Sequence, residues 1–328
     1  AWMVLRFTTG VAVCGLYAVI ESWLTTQSTP ESRGRILAVY TFITLAAMTA
    51  GQFLINVGPI TGSVPFAVAA IFMALAIVPV GLTRRMAPAP VQSTQSGFRL
   101  LFQRSHSAFF GALLSGLVVG SFWSLGAVFA GRVGQDQMQV TWFMSAAIAG
   151  GALFQYPVGW LSDRLDRRHI LIALAMGGAL TSVAVALSAG QPWHLFAVLM
   201  FGAAVMPLYA ISLATAADVS SSDEFVAIGT SVLLLHSIGA VLAPLGLGQV
   251  MTLFGATALF WATAVLCAFF SVLLYGFTRK PRAVSVEEQT PFNAAAAEVA
   301  PMSFELDPRG TEVDTTVQSP AGSGPEQG

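Results

Sequence analysis

The sequence predicts an all-α protein that crosses a membrane several times. Of its 328 residues, 55% are hydrophobic and only 9% are charged, whereas about a quarter of the residues in soluble domains carry a charge. The hydrophobic residues form long runs that short polar segments separate, and a membrane helix needs about 20 such residues. We therefore divide the chain into helices rather than into soluble domains.

Nine apolar runs are candidate transmembrane helices. Their limits follow the polar breaks, which hold most of the charged residues of the first 280 positions. The candidate spans cover residues 2–24, 36–57, 64–82, 108–130, 138–158, 170–189, 193–216, 226–250 and 255–277.

Two polar breaks contain signals for the start of a helix. Residues 29–32, Thr-Pro-Glu-Ser, combine a capping residue, a proline at the first helical position and an acid in the first turn. Ser221 and Glu224 have the spacing of a capping box. Inside the spans, rows of small residues predict close helix contacts. These rows include Gly111, Ser115, Gly116 and Gly120 in one span and Ala146, Ala147, Gly150 and Gly151 in the next.

The spans fall into two groups that a polar segment separates. Residues 1–82 hold three spans and residues 108–280 hold six, and residues 83–107 form an arginine-containing linker between them. The tail, residues 281–328, is rich in Ala, Pro, Glu, Ser and Gly. Because this composition buries little apolar surface, we expect the tail to be disordered.

Basic residues are concentrated in alternate loops, which predicts the orientation of the chain. Only Arg132 lies in the loops of one side, and the other side is therefore expected to be cytoplasmic, together with the tail. The loops of that second side contain Arg33, Arg35, Arg84, Arg85, Arg99, Arg104, Arg164, Arg167, Arg168, Arg279, Lys280 and Arg282.

The chain also matches itself at an offset of 192 residues. Gly10 falls on Gly202, and Leu-Tyr-Ala at 16–18 falls on Leu-Tyr-Ala at 208–210. Spans one to three then correspond to spans seven to nine. A parallel repeat of this kind occurs in transporters built from two six-helix halves, and on this reading three helices would precede Ala1.

The loop at residues 159–170, GWLSDRLDRRHI, lies between the fifth and sixth spans. It resembles the loop motif G-x-L-a-D-r-x-g-r-r/k of the major facilitator superfamily, with Asp166 in place of the usual glycine. Arg6 followed by Gly10 is similar to the motif of that family's fourth helix. The residues that match the loop motif are Gly159, Leu161, Asp163, Arg164, Arg167 and Arg168.

Residues 15–24 and the triplet Arg33-Gly34-Arg35 are similar to a bacterial branch of that superfamily, the YcaD-like transporters. The resemblance covers residues 2 to about 280. It implies a major-facilitator-type bundle in a bacterial plasma (inner) membrane, with an N-terminally truncated chain whose nine spans are helices four to twelve of twelve. In the family the loop aspartate, here Asp163, points at the N-terminus of a helix in the other half.

The resemblance implies a gating role for this loop. Asp163 would face the helix that begins near Pro30 and pair with Arg33, Arg35 or Arg167. Such a cluster would hold the two halves together on the cytoplasmic side and would break and re-form as they rock. A clamp with a purely structural role is the alternative.

Ionisable and polar groups within the spans are candidates for substrate or proton coupling, because such groups are costly in a bilayer. Arg6 either faces the central cavity, as the resemblance implies, or extends to the outer interface. His236 suits a proton site by its titration range, or forms a neutral hydrogen bond to a neighbouring helix. Glu21, Gln52 and Gln155 complete the candidate set.

We therefore predict a secondary active transporter of a small molecule, with proton coupling, rather than an enzyme. The sequence contains no phosphate-binding glycine loop, HExxH or CxxC motif, and we expect no cofactor, metal, nucleic-acid partner or obligate protein partner. A membrane fragment that does not transport, or a sensor or scaffold, is the alternative, since three of the twelve helices would be missing. The sequence does not identify the substrate.

Overall fold

A computed structural model shows the chain as a bundle of α-helices. It describes residues 2–27, 30–59, 61–82, 97–278, 289 and 292, and these residues contain no β-strand. The all-α prediction is therefore confirmed. The helices are α1 (Trp2–Gln27), α2 (Pro30–Leu54, followed by a 3-10 turn at Ile55–Val57), α3 (Val64–Leu82), α4 (Phe98–Arg104), α5 (His106–Arg132), α6 (Gln137–Ser162), α7 (Arg167–Ser188), α8 (His194–Val205), α9 (Leu208–Ala217), α10 (Ser222–Phe254) and α11 (Ala258–Thr278).

Seven segments among the described residues are long and apolar enough to cross a membrane, judged by length and composition. They coincide with seven of the nine predicted spans. The third predicted span contains a shorter apolar helix, Val64–Pro79, and the fifth coincides with α6, which carries three glutamines among its apolar residues. Each predicted span is thus helical, and the third and fifth are the two that are not among the seven candidate membrane segments.

The seventh predicted span, residues 193–216, is divided into two helices. The helix α8 ends at Val205 and α9 begins at Leu208, with Met206 and Pro207 between them. Proline has no N–H to donate and its ring crowds the carbonyl four residues earlier, so the helical hydrogen bonds are interrupted here while Met206 and Pro207 keep right-handed helical dihedral angles. The two helices together form one candidate membrane span, His194–Ala217, in agreement with the prediction.

The helix starts of the two halves support the internal repeat. Ser222 begins α10 and lies 192 residues after Pro30, which begins α2. Ala258 begins α11 and lies 194 residues after Val64, which begins α3. The first offset equals the 192 found in the sequence, and the second differs from it by two residues.

Glycines allow two pairs of helices in the second half to pack closely. A Cβ atom at Gly116 of α5 would overlap the backbone carbonyl of His236 in α10, and a Cβ atom at Gly202 of α8 would overlap that of Ala147 in α6. These contacts agree with the predicted packing role of the small-residue rows. They place the side chain of His236 between α5 and α10.

The predicted linker, residues 83–107, is described from Gly97 onwards, and residues 83–96 lie outside the described part. The described portion contains α4, which is held against α10 by two polar contacts. The backbone N–H of Gly97 donates to Ser231 Oγ (2.7 Å), and Arg104 pairs with Glu224 (3.1 Å). Gly97 and α4 are therefore attached to α10.

Candidate functional site

Local capping determines the shape of the loop between α6 and α7. Asp163 ends α6, and Asp166 caps the N-terminus of α7 by accepting from the N–H of Arg168 (3.0 Å). The carboxylate of Asp166 also binds the Arg168 guanidinium through two nitrogen atoms. The backbone φ of Asp166 is −62°, so this position does not require the glycine that the family motif usually has.

Arg167 is the central residue of this site. Its side chain is only 1% exposed and lies between two aspartates. Nη2 donates to Asp163 Oδ1 (2.9 Å), and Nη1 donates to Asp218 Oδ1 (2.8 Å). Nη1 also donates to the backbone carbonyl of Ala214 (2.9 Å) in the last turn of α9. The single positive charge is thus shared among two carboxylates and a helix C-terminus.

The arginine network joins three helices at one end of the bundle. Asp163 belongs to the end of α6, Arg167 to the start of α7, and Asp218 to the C-cap of α9. Asp218 is 7% exposed and Asp163 is 38% exposed. Removing one partner of a buried ion pair is costly because a buried charge is left without compensation. The network is therefore expected to fix the relative positions of these helix ends.

Asp218 was missed by the sequence analysis. It lies 51 residues after Arg167, directly after an apolar run, and no motif marks it. One feature of the sequence could have indicated it, because Asp218 is an acidic residue at the predicted cytoplasmic end of a span. The prediction of orientation counted only basic residues and therefore passed over it.

The other predicted gating residues are distributed around this network. Arg164 points away from it and stacks on the ring of Trp160, with the guanidinium carbon 3.6 Å from the ring centroid. Arg33 and Arg35 lie in the first turns of α2, and their side chains are outside the described part of the structure. Their predicted pairing with Asp163 therefore stays a prediction.

Asp163 has a second partner from the C-terminal tail. The backbone N–H of Phe292 donates to Asp163 Oδ1 (2.9 Å), the same oxygen that Arg167 contacts. Apart from Gln289 and Phe292, the tail from residue 281 onwards lies outside the described residues. The expectation that this tail is disordered stays a prediction.

The five predicted coupling residues lie on four helices, α1, α2, α6 and α10. Glu21 is fully buried and accepts a hydrogen bond from the Tyr40 hydroxyl (3.3 Å). Arg6 is exposed on α1, Gln52 is half-buried on α2, and Gln155 is buried on α6. The backbone carbonyl of Gln52 accepts from Thr141 Oγ1 (3.4 Å).

His236 is buried at 5% exposure in the second half. Its Nδ1 lies 2.8 Å from Ser115 Oγ, and the Ser115 hydroxyl donates to the carbonyl of Ala112. The imidazole also packs edge-on against Tyr209, with ring centroids 5.2 Å apart.

The two groups of helices touch at the end of α6 that is opposite the arginine network. Asn56 Nδ2 donates to Thr141 Oγ1 (2.7 Å), and Gln137 Nε2 donates to the carbonyl of Ile55 (2.6 Å). Phe53 packs edge-on against Trp142 at 5.1 Å between ring centroids. We call these residues the opposite-end contact. Thr141 and Asp163 are separated by about 33 Å along the helix, and the sequence analysis did not predict this contact.

Comparison with known proteins identifies the family. The family model described as Major Facilitator Superfamily matches residues 1–228 and 108–309. An uncharacterized MFS-type transporter, YcaD, of Escherichia coli O17:K52:H18 (strain UMN026 / ExPEC) is 28% identical over 287 residues, which are 86% of the chain and 74% of that relative. An uncharacterized MFS-type transporter of Enterobacter sp. (strain 638) is 26% identical over 278 residues, which are 84% of the chain and 72% of that relative.

No solved structure gives a significant match to the chain. The relatives and the family model confirm the resemblance to YcaD-like transporters, and the apolar helices confirm an integral membrane protein. The chain belongs to the major facilitator superfamily.

Proposed function

We propose that the protein is a secondary active transporter that moves a small molecule across the bacterial inner membrane by alternating access, with proton coupling. The observation that carries this proposal is the burial of Arg167 between Asp163 and Asp218. A buried guanidinium that pairs with one buried and one partly exposed aspartate at a loop between helices is expensive for a merely connecting segment. It suits an element that must hold helix ends together in one state and release them in another.

The opposite-end contact supports the same proposal. In this structure the two groups of helices meet through Asn56 and Thr141 at one end of α6, and the arginine network lies at the other end of the same helix. In alternating access, rocking of two halves opens one end of a pathway while the other is closed. With the predicted orientation, the opposite-end contact closes the outer side, and the tail lies in the cytoplasm.

Proton coupling is assigned to His236 within this proposal. Nδ1 of His236 lies within hydrogen-bond distance of Ser115 Oγ, and an imidazole ring can both donate and accept a proton through its nitrogen atoms. Histidine changes its charge near physiological pH, as a coupling site requires. The surrounding interior of α5, α9 and α10 isolates this group from bulk water.

The test is a flux measurement on the full chain in proteoliposomes that contain a trapped pH-sensitive dye. A panel of neutral, cationic and anionic small molecules is added from outside under a fixed pH gradient. The proposal expects at least one solute to cause proton movement that empty liposomes do not show. Absence of solute-dependent proton movement across the panel, with the protein folded and inserted, would contradict it.

A further inference from the structure

Phe292 occupies a notch on the loop that carries the arginine network. We call this notch the Gly159–Asp163 notch. A Cβ atom at Gly159 would overlap ring carbon atoms of Phe292, and these ring atoms are the nearest neighbours of that position. Gly159 is buried. The notch therefore accepts an aromatic ring only because residue 159 has no side chain.

The ring of Phe292 also connects two parts of the interior. It packs against the large hydrophobic cluster that includes Leu171 and Leu174, and against the smaller cluster that includes Leu101 and Phe225. A half-buried phenylalanine in such a position removes substantial apolar surface from water. Phe292 is therefore held by buried apolar contacts as well as by the hydrogen bond of its backbone N–H to Asp163.

The backbone of Phe292 engages the gating carboxylate. Its N–H donates to Asp163 Oδ1 at 2.9 Å, and Arg167 Nη2 donates to the same oxygen at 2.9 Å. A carboxylate oxygen has about two lone-pair positions, so these two donors occupy it. Any other donor that approaches Asp163 must use the second oxygen or displace the tail.

From these contacts we propose that the Gly159–Asp163 notch is the binding surface for Phe292 of the tail, and that this docking inhibits transport. The aromatic ring fills the space over Gly159, while the backbone N–H occupies Asp163. Docking holds the loop in the arrangement seen here and slows its release. The inhibitory consequence rests on the proposed transport function, whereas the docking itself does not.

Hydrogen exchange of the full chain in lipid nanodiscs tests the docking directly. The amide of Phe292 is expected to be protected in the unmodified protein and to exchange about tenfold faster, or more, in Gly159→Ala, because the added Cβ expels the ring and its hydrogen bond. Gly276→Ala is the matched control, since a Cβ there meets nothing within 4 Å. An equal exchange rate at Phe292 in Gly159→Ala and in the unmodified protein would overturn the proposal.

A second variant changes Phe292 of the tail instead of Gly159 of the notch. Phe292→Ala is expected to increase the labelling of the Asp163 carboxylate by a water-soluble carbodiimide and an amine, measured by mass spectrometry. Phe304→Ala, another phenylalanine of the tail, serves as the control and should leave this labelling unchanged. Unchanged labelling in Phe292→Ala would also overturn the docking.

The inhibitory role has its own readout. For a solute that the protein transports, Phe292→Ala should raise the initial rate about two- to tenfold, corresponding to the loss of a contact worth roughly 0.4–1.4 kcal/mol. An equal or lower rate would overturn inhibition. Absence of transport in every variant counts against the proposed function, while the exchange and labelling rates decide the docking separately.

Discussion

At the scale of single residues, the account depends on a buried guanidinium with two unequal aspartate partners. Asp218 is nearly fully buried, whereas more than a third of the Asp163 side chain is exposed. The attraction between Arg167 and Asp163 is therefore screened more strongly by water than that between Arg167 and Asp218. The exposed partner suits an interaction that is exchanged, and the buried partner suits one that persists.

This inequality predicts different effects of two matched substitutions. Asp218→Asn should lower the free energy of unfolding by about 3 kcal/mol, because it removes one partner of a buried pair, and Asp163→Asn should lower it by less than half as much. Thermal unfolding of the purified variants measures both. Asp166→Asn provides the control, since Asp166 pairs with Arg168 rather than Arg167. Equal losses for Asp218→Asn and Asp163→Asn would contradict the assigned roles.

His236 yields a prediction about coupling rather than stability. His236→Gln keeps a polar side chain of similar reach but cannot take up a proton near neutral pH. We expect the variant to lose accumulation driven by a pH gradient and to keep solute exchange without a gradient. The two modes are compared in proteoliposomes with the same transported solute. Retention of pH-driven accumulation in His236→Gln would exclude this residue as the coupling site.

At the scale of secondary structure elements, helix α6 connects the two ends of the proposed pathway. Its N-terminal turns make the opposite-end contact with α2, and its C-terminal turn carries the Gly159–Asp163 notch. Thr141 in the first contact and Asp163 in the second are about 33 Å apart along the helix. A continuous helix with contacts at both ends relates a change at one end to a change at the other.

The opposite-end contact can be weakened without changing the shape of the side chain. Thr141→Val removes the hydroxyl that accepts from Asn56, which should shift the population toward separation of α2 and α6 by roughly fivefold, for a hydrogen bond worth about 1 kcal/mol. Distances between spin labels at the exposed positions Val57 and Met138 measure this shift. In Thr49→Val the lost hydroxyl bonds only to its own helix in the described contacts, and no shift is expected. A shift as large in Thr49→Val would contradict the role of Thr141.

The close crossing of α5 and α10 predicts that a larger residue in place of Gly116 lowers the stability of the protein. Gly116→Ala places a Cβ atom against the backbone of His236, so the helices must separate, at a cost of about 1–3 kcal/mol. Gly246→Ala on α10 meets nothing within 4 Å and should have little effect. Thermal unfolding in detergent compares the two variants, and equal stability would show that the crossing tolerates a methyl group.

At the scale of the whole molecule, the sequence predicted the helices and part of the site. Apolar runs between polar breaks can be read directly from the sequence. The helix-start signals at Pro30 and Ser221 predicted helix starts at or next to the observed positions. The loop motif predicted that Asp163 and Arg167 belong together, and this pair is observed.

The parts that could not be predicted depend on contacts between distant residues. Asp218 approaches Arg167 from another helix, and Asn56 meets Thr141 from the other group of helices. Neither pair follows a periodic pattern or a local motif. Phe292 lies in a tail whose composition predicts disorder, and its docking depends on the absence of a side chain at Gly159. Such partners are fixed by tertiary packing, which a single sequence does not display.

The most direct test of alternating access compares two spin-label distances in the same protein. One pair, Val57 and Met138, reports on the opposite-end contact, and the other, Val39 and Leu165, reports on the end that carries the arginine network; all four positions are exposed. Each pair is introduced into Cys14→Ser, because Cys14 is exposed and Cys267 is buried. With a transported solute or a change from pH 8 to pH 5, the account predicts that the first distance lengthens while the second shortens. Two distances that stay constant, or that change in the same direction, would contradict it.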